Sequence, residues 1–229
     1  MSGGAGDWQA ALRALPGRAA ARADRHLFKA LNPDLAHAPI LDKPPTRPRP
    51  AAVLIPVVAR DEPTVLFTVR TPTMPSHAGQ ISFPGGGPKD GDDDAVGTAL
   101  RETREEVGID EAHVEVLGRM GVHYGGMGYA VTPVIGLVHP GADCVPCPRE
   151  VAEVFEVPLA HLADPAAHVV EQRTFSGTDY DMFAVPSVDT EGRARHVWGL
   201  TAGILETFCR AMNEMALPEA GGPRSGMAA

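Results

Sequence analysis

The sequence predicts an α+β protein, a mixed β-sheet packed between a few helices, and three observations carry that expectation. Apolar, β-branched runs recur through the middle of the chain, near 51–58, 64–70, 113–121, 129–138, 168–175 and 180–187. Sustained helical spacing is confined to a stretch near 94–107, a last one near 197–216 and two short ones before residue 33. Strands mixed with few helices favour a sheet covered by helices. At 229 residues and 44% apolar content, the chain can bury one substantial core.

In chain order, Trp8, Leu12, Leu15, Ala19 and Ala20 mark helical turns that Pro16 and Gly17 divide into two short helices. Six prolines between 33 and 50 give an extended connector. Residues 1–50 are thus read as a helical extension with its connector, and 51–216 as the main domain. The Gly-, Pro- and Ala-rich 217–229 is read as a disordered tail. The runs 51–58 and 64–70 flank the turn-forming Arg60-Asp61-Glu62-Pro63 and read as a hairpin. A long Gly-, Pro- and Asp-rich loop, 71–94, follows, and loops of that length inside a compact domain usually carry function. A short helix or turn is expected near 158–164.

The formal charge of −9 disfavours nucleic acid, which needs clustered Lys and Arg, but permits a small phosphorylated substrate whose charge is neutralised locally. No apolar run is long enough for a membrane span, and the N-terminus lacks a basic start followed by an apolar core. Three cysteines (Cys144, Cys147 and Cys209) imply no disulfide framework, and a reducing cytoplasm is the simple reading. Cys144-Val-Pro-Cys147 has C-x-x-C spacing, but no second pair completes a zinc site, so a plain loop is expected.

The chemistry concentrates on the helix near 94–107. Asp92, Asp93 and Asp94 are N-cap candidates, and Gly108 suits the position after the helix. Val96, Leu100, Thr103 and Val107 form a stripe at spacings of four, three and four, which we expect to be the buried face. Glu102, Glu105 and Glu106 then lie on the other side as mutual neighbours. Neighbouring carboxylates repel, so they need either bulk solvent or a bound hard cation such as Mg²⁺ or Mn²⁺. Arg101, four residues before Glu105, is placed to orient it. Taken alone, a Glu-rich helix face is commonest as solvated surface. The preceding Phe83-Pro84-Gly85-Gly86-Gly87 shifts the balance, because glycines let backbone approach a ligand and a carbonyl there, as at Gly86, can ligate metal.

These residues resemble the Nudix box, G-x5-E-x7-R-E-U-x-E-E-x-G-U with U aliphatic. Gly87 and then Arg101-Glu102-Thr103-Arg104-Glu105-Glu106-Val107-Gly108-Ile109 match in order and spacing. Asp93 stands at the first Glu position, Thr103 at an aliphatic one; counting from Gly86 would put Asp92 at the first. The resemblance implies a mixed sheet between helices in an α/β/α sandwich, with Mg²⁺ or Mn²⁺ held by Glu102, Glu105, Glu106 and the Gly86 carbonyl.

Upstream, Leu66-Phe67-Thr68-Val69-Arg70-Thr71, Gly79 and Phe83-Pro84-Gly85-Gly86 resemble a narrower branch, the coenzyme A pyrophosphatases. His77-Ala78-Gly79-Gln80, Glu150-Val-Ala-Glu153-Val-Phe-Glu156-Val-Pro-Leu and Trp198-Gly-Leu-Thr-Ala-Gly are similar to it as well. Pro75 departs by replacing an arginine of that signature. The resemblance implies hydrolysis of the coenzyme A diphosphate, or of acyl-CoA, to 3′,5′-ADP and 4′-phosphopantetheine. It also implies substrate contacts at Arg70, His77, Gly79, Phe83 and Gly85. Arg101, Glu105 and Glu153 are the catalytic candidates, with Glu105 and Glu153 alternatives for the general base. His123, Tyr124 and Met127 read as ordinary packing with a pocket role as the alternative, and Trp198 as core. A Nudix hydrolase of ADP-ribose or a dinucleotide such as NADH, kept alive by Pro75, is the first competitor. A non-catalytic Nudix binding module is the second, opposed by retention of all three helix glutamates. The N-terminal helices are left with two uses, covering the pocket or forming a homodimer contact.

Overall fold

The computed structural model describes residues 7–18, 21, 23–35, 47–73, 78–125, 128–175 and 177–216. The expected tail, the middle of the connector, Pro75, His77 and Met127 lie outside them.

Strand β2 (Arg49–Val58) is the axis of the main sheet, nearly continuously apolar from Ala51 as a strand covered on both faces must be. It runs parallel to β8 (Tyr129–Val138) along its whole length, from Arg49 opposite Tyr129 to Val58 opposite Val138. Parallel neighbours need a long crossover, and the segment between them carries α3 (Ala95–Val107). On the other edge, β3 (Thr64–Arg70) pairs antiparallel with β2 only at Val57↔Val65 and Val58↔Thr64. The expected hairpin is therefore real but short. Beyond it the strands splay, and two short strands of the glycine-rich loop enter the wedge. Of these, β4 (Ile81–Ser82) lies on β3 and β5 (Gly85–Gly86) on β2. The far edge of β3 is taken by β9 (Val151–Pro158), with a register shift at Val69/Arg70. The outer edge of β8 is shared by β6 (Val114–Arg119) and β7 (His123–Tyr124), and β7 is met in parallel by β1 (Arg25–His26).

One face of the sheet carries α3, seated on Ala52, Leu54 and Val134. The other face holds the main core, where Ile55, Val57, Phe67, Ile135 and Phe155 meet Leu12, Leu15, Ile204, Leu205 and Phe208. Leu12 belongs to α1 (Asp7–Ala14), Leu15 to the 3-10 turn after it, and the last three to α5 (Leu200–Ala216). The N-terminal extension thus enters the domain core. The result is the expected α/β/α sandwich with one addition. The runs expected near 168–175 and 180–187 are β10 (Val169–Phe175) and β11 (Thr178–Val188). With β12 (Ala194–Trp198) they form a separate three-stranded antiparallel sheet, ordered β10–β11–β12. It packs against the same core through Val185 and Val197. Two short helices complete the described fold, α2 (Leu27–Leu31) and α4 (Leu159–Leu162).

The sequence reading missed β9 and β12. In β9, Val151, Phe155 and Val157 alternate correctly, but Glu153 falls on the same face and hides the pattern. The final helix begins at Leu200 rather than 197, because residues 194–198 pair with β11.

Candidate active site

The helix α3 is fixed at both ends by the residues its sequence offers. The Asp94 carboxylate accepts hydrogen bonds from the backbone N–H groups of Val96 and Gly97, at 2.8 and 3.1 Å. Gly108 terminates the helix with φ 74°, a left-handed conformation that glycine adopts without penalty. The Cys144–Cys147 loop straps that end. Val145 N–H donates to the Val107 carbonyl and Cys147 N–H to the Glu106 carbonyl, both at 2.8 Å. The C-x-x-C segment is thereby a helix-end clasp, and Cys144 is exposed.

The buried face of α3 differs from the expected stripe. Ala99, Thr103 and Val107 are fully buried, and Glu102 and Glu106 are buried with them, whereas Val96 and Leu100 are half-buried. Glu106 is 2% exposed and Glu102 8%. The two carboxylates point under the helix, toward the splayed β2–β3 wedge where β5 presents only glycines. The Gly85 N–H donates to Glu106 at 3.1 Å. The Arg70 guanidinium, from the end of β3, reaches the same carboxylate at 3.5 Å. Burial pushes the Glu106 carboxyl up to about 7, against the opposing pull of the Gly85 N–H and Arg70. The Glu102 carboxylate lies flat against Gly86: a Cβ there would stand 2.7–2.8 Å from its carboxyl atoms. At Gly85 a Cβ would meet the backbone of β2 itself, 2.6 Å from the Val53 Cα. Glycine at both positions is what lets strand and glutamates occupy this space.

Arg101 ties the elements together. It grips Asp92 bidentately (2.8 and 2.9 Å) and donates to Glu102 at 2.7 Å, Glu105 at 3.1 Å and the Gly87 carbonyl at 3.0 Å. The carboxylate that the pattern counted from Gly87 places at Asp93 is therefore supplied by Asp92, held well below the usual carboxylate range by Arg101. Glu105 is exposed and pairs with Lys89 at 2.7 Å, which lowers its carboxyl. Each of the three glutamates thus faces its own cationic or N–H partner. Among the described residues, no three His, Cys, Asp or Glu side chains converge as a ready-made cation cage.

These groups form one end of a cavity of about 560 Å³. Arg70, Gly85, Gly86, Gly87, Lys89, Glu102, Glu105 and Glu106 line that end. Arg70 Nε is buried with no hydrogen-bond partner, leaving the guanidinium under-satisfied beside the cavity. The other end is mostly apolar: Leu27, Phe28 and Leu31 of α2 face Phe175, Phe183 and Trp198 of the small sheet, with Ile204 from α5 and Asp181 as its charged residue. Phe83 lines the cavity and stacks on Phe67 at 5.1 Å.

Some expected site residues are placed elsewhere. Glu153 is outside the cavity lining, engaged by Arg193 and by Arg195, which also lies over the Phe155 ring at 4.1 Å. Those cations lower its carboxyl, Arg195 foremost, and hold it in a strand-linking ion pair. Glu150, three residues earlier, lines the cavity instead. The register shift between β3 and β9 separates these two glutamates, which spacing alone did not reveal. Gly79 has φ 70° and is an exposed turn residue outside the cavity lining, next to Gln80, which belongs to it. Trp198, read as core, is half-buried at the cavity wall with Arg173 over its ring at 4.3 Å. His123 is fully buried packing, and Tyr124 stacks on His26. Lys89 was not anticipated; the lining from α2 is in line with the first of the two uses expected of the N-terminal helices, covering the pocket.

Comparison with known proteins sets this geometry among relatives. The NUDIX domain profile matches residues 48–176. The uncharacterized Nudix hydrolase NudL of Photorhabdus laumondii is 38% identical over 71% of this chain and 84% of its own length. That of Cronobacter sakazakii is 35% identical over 83% of this chain and 95% of its own. Among solved structures, a binary complex of C. elegans Ap4A hydrolase superposes with a TM-score of 0.42 at 18% identity, covering 48% of this chain and 80% of that one. RenU, a Nudix hydrolase of M. smegmatis, gives 0.41 at 24% identity, covering 51% and 74%.

Proposed function

The chain belongs to the Nudix hydrolase family, and from that premise we propose that it is a divalent-metal-dependent pyrophosphatase acting on coenzyme A and its acyl thioesters. The products are 3′,5′-ADP and 4′-phosphopantetheine or its acyl form. The observation that carries this reading is the two-ended cavity, whose charged, glycine-lined end continues into an apolar end walled by Leu27, Phe28, Phe175 and Trp198. A diphosphate with a long, weakly polar arm matches that division; a ligand polar throughout would leave the apolar end unfilled.

The polar end fits a hard cation. Its donors are all oxygen, and Glu106 is a buried carboxylate whose burial outweighs its two partners. Glu102, Glu105, Glu106 and the Gly86 carbonyl are the residues that would hold Mg²⁺ or Mn²⁺. Bound there, such an ion would supply charge neutralisation and ease deprotonation of the water that attacks phosphorus. Arg70, at the cavity wall, is placed to bind a phosphate oxygen with its guanidinium. Gly85 and Gly86 line the cavity, and their missing side chains leave room for β2 and for Glu102. Arg101 positions Glu102 and Glu105 through the bonds described above. Glu150 and Glu105, the less buried carboxylates of the charged end, are placed to take the proton of the attacking water.

The test is direct. Purified protein is incubated with CoA, a medium-chain acyl-CoA, ADP-ribose and NADH, each with Mg²⁺ or Mn²⁺, and products are identified by mass. Release of 3′,5′-ADP from CoA or acyl-CoA is expected; turnover confined to ADP-ribose or NADH overturns the substrate, and no turnover with either metal overturns the enzyme. Glu106→Gln is expected to fold normally by circular dichroism and to lose turnover on the order of a hundredfold or more.

A further inference from the structure

We propose that β10 is the seam of a two-fold homodimer, in which the strand pairs antiparallel with β10 of a second copy about Gln172. The direction of the backbone groups comes first. Asn32 bonds both backbone groups of Asp181: its Oδ1 accepts from the Asp181 N–H at 2.8 Å and its Nδ2 donates to the Asp181 carbonyl at 3.0 Å. Gly199 N–H donates to the Phe183 carbonyl at 2.8 Å. Asp181 and Phe183 therefore turn their polar groups away from β10. In an antiparallel ladder, opposed residues share that orientation. Asp181 stands opposite Gln172, Phe183 opposite Val170 and Asp179 opposite Thr174. Hence Val170, Gln172 and Thr174 turn their N–H and C=O groups outward, to the free edge of the small sheet. No described residue bonds to those groups.

The sequence of the strand then fixes a partner. Val169-Val170-Glu171-Gln172-Arg173-Thr174-Phe175, read against itself about Gln172, sets Glu171 opposite Arg173, Val170 opposite Thr174 and Val169 opposite Phe175. The charges are complementary, the next pair is β-branched with β-branched, and the last is aliphatic with aromatic, all favourable cross-strand pairs. The two-fold register uses all three outward-facing residues, with Gln172 bonded to its own copy. A one-residue slip would oppose inward-facing groups and lose the ladder. The edge carries no proline and no register shift, two of the devices that blunt exposed strands. Val170 is 52% exposed and Val169 37%, side chains that pairing would cover. Glu171 and Arg173 are each about one-third exposed, so a copy's charges can reach them. The N-terminal helices are not needed for such a contact, since α2 is committed to the cavity wall.

The test is sedimentation velocity of the full chain across micromolar concentrations. The wild type is expected to sediment at twice the 24.1 kDa chain mass. Gln172→Pro removes an N–H that faces away from β11, so the monomer keeps its ladder. It is expected to raise the dimer dissociation constant roughly tenfold or more, by removing both central hydrogen bonds. Val170→Lys is expected to weaken the dimer, and the double variant Val170→Lys/Thr174→Glu to restore it, because lysine then faces glutamate across the seam. Hydrogen exchange at Val170, Gln172 and Thr174 is expected to slow on association. A wild type monomeric at every concentration overturns the proposal. So does a dimer that survives Gln172→Pro in a folded protein, or that is indifferent to both Val170 variants should the proline variant fail to fold.

Discussion

Gly85 and Gly86 are adjacent, yet a methyl group does different damage at each. At Gly85 it meets the backbone of β2, which cannot move without breaking the sheet. Gly85→Ala is expected to cost about 2 kcal/mol or more of stability, read from denaturant midpoints. At Gly86 it meets only the end of the Glu102 side chain, which can swing aside. Gly86→Ala is therefore expected to unfold near the wild-type midpoint and to lose turnover; an unchanged rate would remove the Gly86–Glu102 contact from the site. Much at this scale was legible in the sequence: the three glutamates, Arg70 and the glycine run meet at one end of the cavity, with Arg101 bonded to two of the glutamates. What spacing did not settle was pairing. Asp92 rather than Asp93 receives Arg101, because the turn at 89–92 brings the Asp92 carboxylate beneath the helix. Glu150 rather than Glu153 reaches the cavity, because a strand irregularity intervenes.

At the scale of the element, α3 was well delimited by its sequence, since Asp94 and Gly108 are the cap residues that helix ends demand. Asp94→Ala leaves two N–H groups without their acceptor and is expected to cost about 1 kcal/mol, a fall of roughly 2–4 °C in Tm. A melting curve that does not move would remove this cap from the account. The face of the helix was misread for an instructive reason. Hydrophobic periodicity assigns glutamate to the outside, whereas Glu102 and Glu106 are turned inward, where N–H and guanidinium groups receive them. The same cause hid β9. A functional or ion-paired carboxylate on a buried face interrupts the apolar pattern where the element is most constrained. The helix–strand boundary at 197–200 was lost because Trp198, like its helical neighbours, is apolar, and only pairing with β11 distinguishes it.

Across the whole molecule, the pH response should reflect His123, buried in β7 with Nδ1 2.9 Å from the Gly121 carbonyl. Burial lowers its pKa to about 4 from an ordinary 6.5, so the folded protein holds the imidazole neutral while the unfolded chain protonates first on acidification. The stability from this group is complete above pH 6.5 and is lost as pH falls toward 4, by roughly 3 kcal/mol. Urea titrations of the wild type and His123→Phe across that interval check the sign, with the flatter profile expected in the variant. The sandwich itself was legible from the alternation of strands and helices, but the joint lining of the cavity was not, because it unites residues distant in the chain. Its charged end comes from 70–106 together with Glu150, whereas Leu27, Phe28, Phe183, Trp198 and Ile204 lie outside the 48–176 domain match. The groups proposed to act on the diphosphate and, Phe175 excepted, the wall proposed for the rest of the ligand are thus encoded in separate stretches of sequence. Selection can retailor the second, lengthening or narrowing the chamber through α2 or β12, while the machinery on α3 stays as it is.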